Sequence, residues 1–166
     1  FSKDLALLIT NNVLQSVKET LETLDGNAFI FCNSTDMIYN LMKQLDLFEE
    51  SSVFCSTNSV KKLKNDKDVK FKNAYEDWDV KHMKRYNWLT SRFYNAVDIK
   101  LDEQPNVILL SNCYFSIHTI IDPCTDAVQA TGRFRNGVSS ITHIVNVNPN
   151  LRVQSKEEIR AYIRGL

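Results

Sequence analysis

The stretch Gln129-Ala130-Thr131-Gly132-Arg133-Phe134-Arg135-Asn136-Gly137 brings an amide, two guanidinium groups and two glycines together. An amide both donates and accepts, and a guanidinium fork binds oxyanions through paired N–H groups. That set suits a nucleotide and its phosphates. Asp122-Pro123 reads as a helix start, a capping carboxylate followed by the residue best tolerated in a first turn. A helix continuing from there carries Gln129 and Arg133 on one face, with Gly132 removing bulk beside them. An ordinary solvated helix end with two surface arginines fits the same residues, so the surrounding elements must decide.

Those elements alternate. Val13, Leu14, Val17, Leu21 and Leu24 form a helical stripe that ends at Asp25-Gly26. Ala28-Phe29-Ile30-Phe31-Cys32 is a continuous apolar run, as in a strand buried on both faces. Asn33-Ser34-Thr35-Asp36 then caps a helix with Ile38, Leu41, Met42 and Leu45 inward. Val53-Phe54-Cys55, Tyr86 to Thr90, Val107 to Leu110 and Ile141 to Val147 read as further strands. Ala74 to Met83 has no clean period and reads as loop and helix, and Arg92 to Asp98 as a turn or short helix. Ser155-Lys156-Glu157-Glu158 is a capping box for a last helix using Ile159, Tyr162 and Ile163. Strand and helix in alternation predict an α/β fold, a parallel sheet in three layers with helices on both faces. The expected organisation is a leading segment and helix over 1–25, a main domain over 26–148, and a C-terminal helix over 149–166.

In such a sheet, ligands sit beyond the carboxyl ends of the strands. Asn33-Ser34, Ser56-Thr57, Thr90-Ser91 and Ser111-Asn112 all fall there. Hydroxyls and amides at one rim can hold phosphates, although loops also use them for turn chemistry. Lysines 61, 62, 64, 67, 70 and 72 make either a solvated face or a strip touching a polyphosphate backbone.

Composition narrows the classes. The chain has 166 residues, enough for one domain, with 20 basic and 20 acidic side chains, so no global basic field announces a nucleic acid. No apolar run is long enough to cross a bilayer, so no membrane partner is expected. Phe1-Ser2-Lys3-Asp4 lacks the features of a signal peptide, and a chain starting at Phe is expected to be part of a longer one. Cys32, Cys55, Cys113 and Cys124 include no CxxC pair, and His82, His118 and His143 are scattered. Buried thiols in a reducing, cytoplasmic compartment are therefore expected, with no metal site.

Thr90-Ser91-Arg92-Phe93-Tyr94-Asn95-Ala96-Val97-Asp98-Ile99, followed by Gln129 to Asn136, resembles the second RecA-like domain of superfamily 2 helicases. In that family a strand ends in Thr, an Asp-Ile pair follows, and a later helix reads Gln-x-x-Gly-Arg-x-x-Arg. Thr90, Asp98, Ile99, Gln129, Gly132 and Arg133 match, and Phe29 to Ser34 is similar to the family's first strand and its phosphate-contacting loop. The resemblance runs from Gly26 to Asn146. Ala96 stands where the family usually has Gly, and Asn136 where it has the last arginine, Arg135 coming one residue earlier. A shift of one residue is a rotation of about 100° on a helix, so Arg135 serves the same phosphate only if the helix has already ended.

The resemblance implies that ATP with Mg2+ binds between this domain and an N-terminal RecA-like domain of the same parent chain. Arg133 and Arg135 are then the catalytic arginines at the γ-phosphate, the arginine-finger effect. Asp98, Gln129 and Gly132 belong to the nucleotide site, Asp98 toward the ribose and Gln129 as a coupling residue. Asn33, Ser34, Ser56, Thr57, Thr90 and Ser91 hold strand phosphates of single-stranded or duplex DNA or RNA. The four glycines make no GxxxxGK[ST], and no Asp-Glu pair follows a strand, so this stretch alone is not expected to hold Mg-ATP or to be catalytic. Two other classes remain open. One is a stand-alone nucleotide or sugar-nucleotide binding domain, for which Cys32-Asn33-Ser34-Thr35 lacks the Gly-rich turn. The other is a degenerate doubly wound domain serving as a protein-interaction scaffold, with Trp78, Trp88, Phe93 and Tyr94 as an exposed aromatic patch.

Overall fold

A computed structural model of the chain describes residues 5–66, 70–94, 97–112, 119–121 and 126–146. Among them are strands β1 (Leu5–Thr10), β2 (Ala28–Phe31), β3 (Ser51–Phe54), β4 (Ala74–Tyr75), β5 (Tyr86–Leu89), β6 (Asn106–Asn112) and β7 (Ser140–Asn146). They form one parallel sheet in the order β1-β7-β6-β2-β5-β3-β4. The helices are α1 (Val13–Thr23), α2 (Thr35–Gln44), α3 (Thr57–Lys64) and α4 (Asp126–Thr131).

The apolar runs are continuous because both faces of the sheet are covered. Along β2, Ala28 and Ile30 join Val17, Leu21, Ile38, Met42 and Val60 from α1, α2 and α3. Phe29 and Phe31 point the other way, into a core with Phe93, Tyr94, Ile99, Ala130 and Phe134. Period-two alternation thus feeds two apolar layers from one strand.

The direction of travel explains which face each connection takes. From β1 to β4 the chain moves one way across the sheet, and α1, α2 and α3 share one face. From β4 to β7 it moves back, and those connections supply the opposite core. Right-handed crossovers require this, since reversing the direction of travel reverses the face.

The sheet has two strands that the periodicity missed. Leu5–Thr10, expected as a leading segment, pairs with β7 along its whole length, from Leu5 beside Ile141 to Thr10 beside Asn146. Ala74–Tyr75, expected as loop, pairs with β3, and residues Val80–His82 form a 3-10 turn. The exposed aromatic patch is corrected: Trp88, Phe93 and Tyr94 are buried, and half-buried Trp78 packs its ring 5.0 Å from Phe54 and 5.4 Å from Phe29. Their aromatic surface is spent on the core. The Asp122-Pro123 helix start, Ala96, Cys113, Cys124, His118, Val147 and the capping box with Ile159, Tyr162 and Ile163 lie outside the described residues.

Buried polar groups tie strands to connections. Trp88 Nε1 donates to Ser51 Oγ at 3.1 Å, and Ser52 Oγ donates to the His82 carbonyl at 2.6 Å. Ser111 Oγ accepts from the Ile121 N–H and lies 2.9 Å from His143 Nε2. Ser111 therefore serves the interior instead of the rim at the strand ends. Burial pushes the His143 imidazole down to about 4 from its usual 6.5.

An imidazole held neutral in the fold binds its proton more readily when unfolded. The unfolded state takes up more protons between about pH 6.5 and pH 4, so stability is complete above that window and falls as the pH drops through it. Urea unfolding at pH 7 and pH 4.5 is expected to differ by up to about 3 kcal/mol more in the wild type than in His143→Gln. Parallel pH dependence in the two proteins contradicts a buried neutral histidine.

Candidate functional site

β5 lies between β2 and β3 in the sheet, yet the chain leaving β5 goes to the opposite face from the chains leaving its two neighbours. Loops that diverge in this way open a crevice at the carboxyl ends of the strands. A cleft of about 350 Å³ is found there. Asn33, Ser34, Thr35 and Asp36 line it after β2, Ser56, Ser59 and Lys62 after β3, and Thr90, Ser91 and Arg92 after β5.

The hydroxyls here also hold the helix starts. Ser34 Oγ caps α2 by accepting the Met37 N–H at 3.2 Å, and Ser56 Oγ caps α3 by accepting the Ser59 N–H at 3.3 Å. Two helix N-termini, each carrying partial positive charge, therefore reach the rim of one cleft. The Ser91 N–H donates to Asn33 Oδ1 at 3.4 Å, joining the β2 and β5 loops. Lys62 Nζ stands 2.6 Å from Asp36 Oδ1, and an Arg92 guanidinium nitrogen 3.5 Å from Asp77 Oδ1.

A second group gathers on the face opposite α1, α2 and α3. Ile99 and Phe134 form an isolated parallel bridge, with the Ile99 N–H on the Arg133 carbonyl at 2.8 Å and the Arg135 N–H on the Ile99 carbonyl at 3.0 Å. The bridge sets Asp98 beside Arg135, whose guanidinium donates to Asp98 Oδ2 at 2.9 Å. The hydrogen bond from Arg135 holds the Asp98 carboxyl below its ordinary range, and the charges of Arg135, Arg133 and Lys100 act in the same direction. Arg135 is correspondingly raised by Asp98. Arg135 is in contact with that carboxylate, and the charges of Arg133 and Lys100 also reach it.

The shared helical face expected for Gln129 and Arg133 is corrected. The last helical residue is Thr131, and Gly132 and Arg133 form a turn beyond it. Arg133 Nε donates to the Gln129 main-chain carbonyl at 3.0 Å, while Gln129 itself is exposed. Phe134, three residues beyond the helix end, is in the bridge to Ile99. Arg135 accordingly lies past the helix end, the condition that its shifted position requires.

Among the rim residues, Asn33, Ser34, Ser56, Thr90 and Ser91 come together in the cleft; Thr57 is exposed on the first turn of α3, where Ser59 takes the lining position. Of the lysine strip, Lys62 lines the cleft, and Lys61 and Lys64 sit with it in the last turn of α3, where cations favour the helix dipole. Lys70 and Lys72 are exposed, and Lys67 lies outside the described residues. Asp36, Ser59 and Arg92 join the cleft without a functional signal of their own in the sequence, save that Arg92 directly follows Thr90-Ser91. Cys32 and Cys55 are buried free thiols, pushed up by burial to about 12 and about 11. Among the described residues there is no cluster of metal-ligating side chains, and no helix is long and apolar enough to cross a membrane.

No family model and no curated protein matches the chain. Among solved structures, it is similar to the C-terminal domain of the DEAD-box protein Dbp5, with 13% sequence identity and a TM-score of 0.50. The match covers 98% of this chain and 83% of that one. The chain shares the RecA-like α/β fold of that domain.

Ser34→Ala is expected to cost about 1 kcal/mol in urea unfolding through loss of the α2 cap, and Ser34→Asp, which keeps an acceptor, clearly less. Equal losses in the two variants contradict the capping role.

Proposed function

We propose that this chain is the C-terminal motor domain of a nucleic-acid-dependent ATPase or helicase. The observation that carries the reading is the cleft where the loops after β2, β3 and β5 meet, with hydroxyls, two helix N-termini, Lys62 and Arg92. These groups bind phosphodiesters by charge and by main-chain and hydroxyl donors, which position a strand without reading its bases. DNA and RNA both present that backbone.

The nucleotide role rests on the second group. Arg135, oriented by Asp98, and Arg133, tethered to the Gln129 carbonyl, are exposed or half-exposed guanidinium groups with Lys100 close to the same carboxylate. A patch with more cations than acids fits a triphosphate, while the sequence has no phosphate-cradling loop of its own. The reading therefore pairs this domain with an N-terminal RecA-like domain that brings the cradle and the magnesium-binding carboxylates. Mg-ATP held between the two domains would present γ-phosphate oxygens, on which negative charge gathers during transfer, to this turn. Arg133 and Arg135 meet that charge, Asp98 fixes the Arg135 fork, and Gln129 and Gly132 shape the turn that presents Arg133.

The test is ATP turnover of the protein that carries this domain together with its N-terminal partner domain, with and without single-stranded DNA or RNA. Stimulated turnover is expected to fall by about two orders of magnitude or more in Arg133→Ala or Arg135→Ala. Unchanged turnover in both variants, or none in the wild type, overturns the motor reading in favour of an interaction or nucleotide-binding module without catalysis. In parallel, Lys62→Ala and Arg92→Ala are each expected to weaken oligonucleotide binding about threefold or more. Unaltered affinities in both variants place the nucleic acid elsewhere.

A further inference from the structure

We infer that Asp36 and Asp77 are built-in counterions of the cleft, holding its two cations until a nucleic-acid backbone displaces them. The inference rests on the nucleic-acid reading of the cleft. Lys62 and Arg92 both line the cleft, and each faces an acid: Lys62 meets Asp36 at 2.6 Å and Arg92 meets Asp77 at 3.5 Å.

Fold stability does not explain the pairs. The side chains of Lys62 and Asp36 are 65% and 73% exposed, and those of Arg92 and Asp77 are 47% and 89% exposed. Ion pairs so open to water contribute little to folding. Their placement does have a consequence for binding. Asp36 is the second residue of α2, so its carboxylate sits at the positive end of the helix as well as on Lys62, and it also lines the cleft. A phosphate entering there meets cations already neutralised by carboxylates. Binding becomes an exchange of one oxyanion for another, and the net gain is smaller than that of a bare basic cleft. The acids thus set a lower affinity and a more easily reversed grip, as suits a surface that must release one stretch of backbone to take the next.

The experiment measures binding of dye-labelled dT15 and rU15 by fluorescence anisotropy at fixed salt. Variants are Asp36→Asn, Asp77→Asn and the two together, with Glu22→Gln on α1 as a charge control away from the cleft. Each cleft variant is expected to bind about threefold to tenfold tighter, in line with a surface ion pair of about 1 kcal/mol, and the double variant tighter still. Glu22→Gln stays within about twofold. In a Lys62→Ala background, the gain from Asp36→Asn shrinks by about half or more, because its partner is gone. Restored binding by the double variant, where the wild type binds weakly, also supports the inference.

Equal affinities in the wild type and the asparagine variants, with Lys62→Ala weakened, overturn the counterion role and leave the cleft reading standing. A gain in Glu22→Gln as large as in Asp36→Asn also overturns it, since net charge alone then accounts for the effect. No oligonucleotide binding by the wild type or any variant overturns both. Urea unfolding midpoints keep a folding defect from posing as either result, since losing so exposed a pair lowers the midpoint modestly and leaves the protein folded.

Discussion

The structure depends on one topological constraint, a central strand whose exit runs against that of its neighbours. β5 is hydrogen-bonded to β2 on one side and to β3 on the other, in register from Tyr86 to Leu89 with both. Crossover handedness then sends the chains after β2 and β3 to one face and the chain after β5 to the other. No side chain has to carve the cleft, because diverging backbones leave it open. What the sequence adds is the chemistry of the exits: Ser34 and Ser56 as caps, Thr90 and Ser91 opposite them, and one cation from α3 and one from the β5 loop.

The two candidate groups are mechanically joined through β2. Phe134, in the bridge that sets Asp98 beside Arg135, packs edge-on against Phe29 at 4.9 Å and Phe31 at 6.2 Å. Those phenylalanines belong to the strand that runs directly into Asn33 and Ser34 at the cleft. The arginine turn and the strand leading into the cleft loop therefore share one set of close-packed rings. The bridge itself is two backbone hydrogen bonds, so the arginine positions are set by main chain and ring packing, while the guanidinium groups remain at the surface.

The legible parts of the fold were those with an unambiguous period. β2 and β6 are apolar on both faces, and α1 and α2 show clear stripes, so their existence followed from the sequence. The start of β3 is hidden in the sequence because Ser51 and Ser52 are polar letters in a buried strand; Trp88 and the His82 carbonyl satisfy them, and only tertiary structure reveals such partners. β1 carries no strand signal beyond the apolar run Leu5-Ala6-Leu7-Leu8-Ile9, because its partner β7 is far away in sequence and its side chains stay exposed. β4 is two residues long and has no period to detect. The rim residues were legible because caps and strand ends announce themselves in single residues. The helix end at Thr131 was not, since Gln129 and Arg133 keep a helical spacing while the backbone leaves the helix to pair with Ile99. Nor were Asp36 and Arg92, which gain meaning only when loops distant in sequence converge.

A balanced total charge also conceals how this surface is divided. The 20 basic and 20 acidic side chains give zero net charge, which from sequence alone argues against a polyanionic partner. At the cleft the balance is local and paired: Lys62 meets Asp36 inside it, and Arg92 meets Asp77 beside it. At the arginine turn, one carboxylate faces Arg135, Arg133 and Lys100. Screening over roughly 8 Å at physiological salt makes those local ratios, and not the sum, what an approaching phosphate senses. The cleft and the turn therefore differ in kind: one is neutral until its acids are displaced, and the other is cationic from the start. On the proposed reading, that difference suits a cleft that releases a strand repeatedly and a turn that keeps a triphosphate oriented.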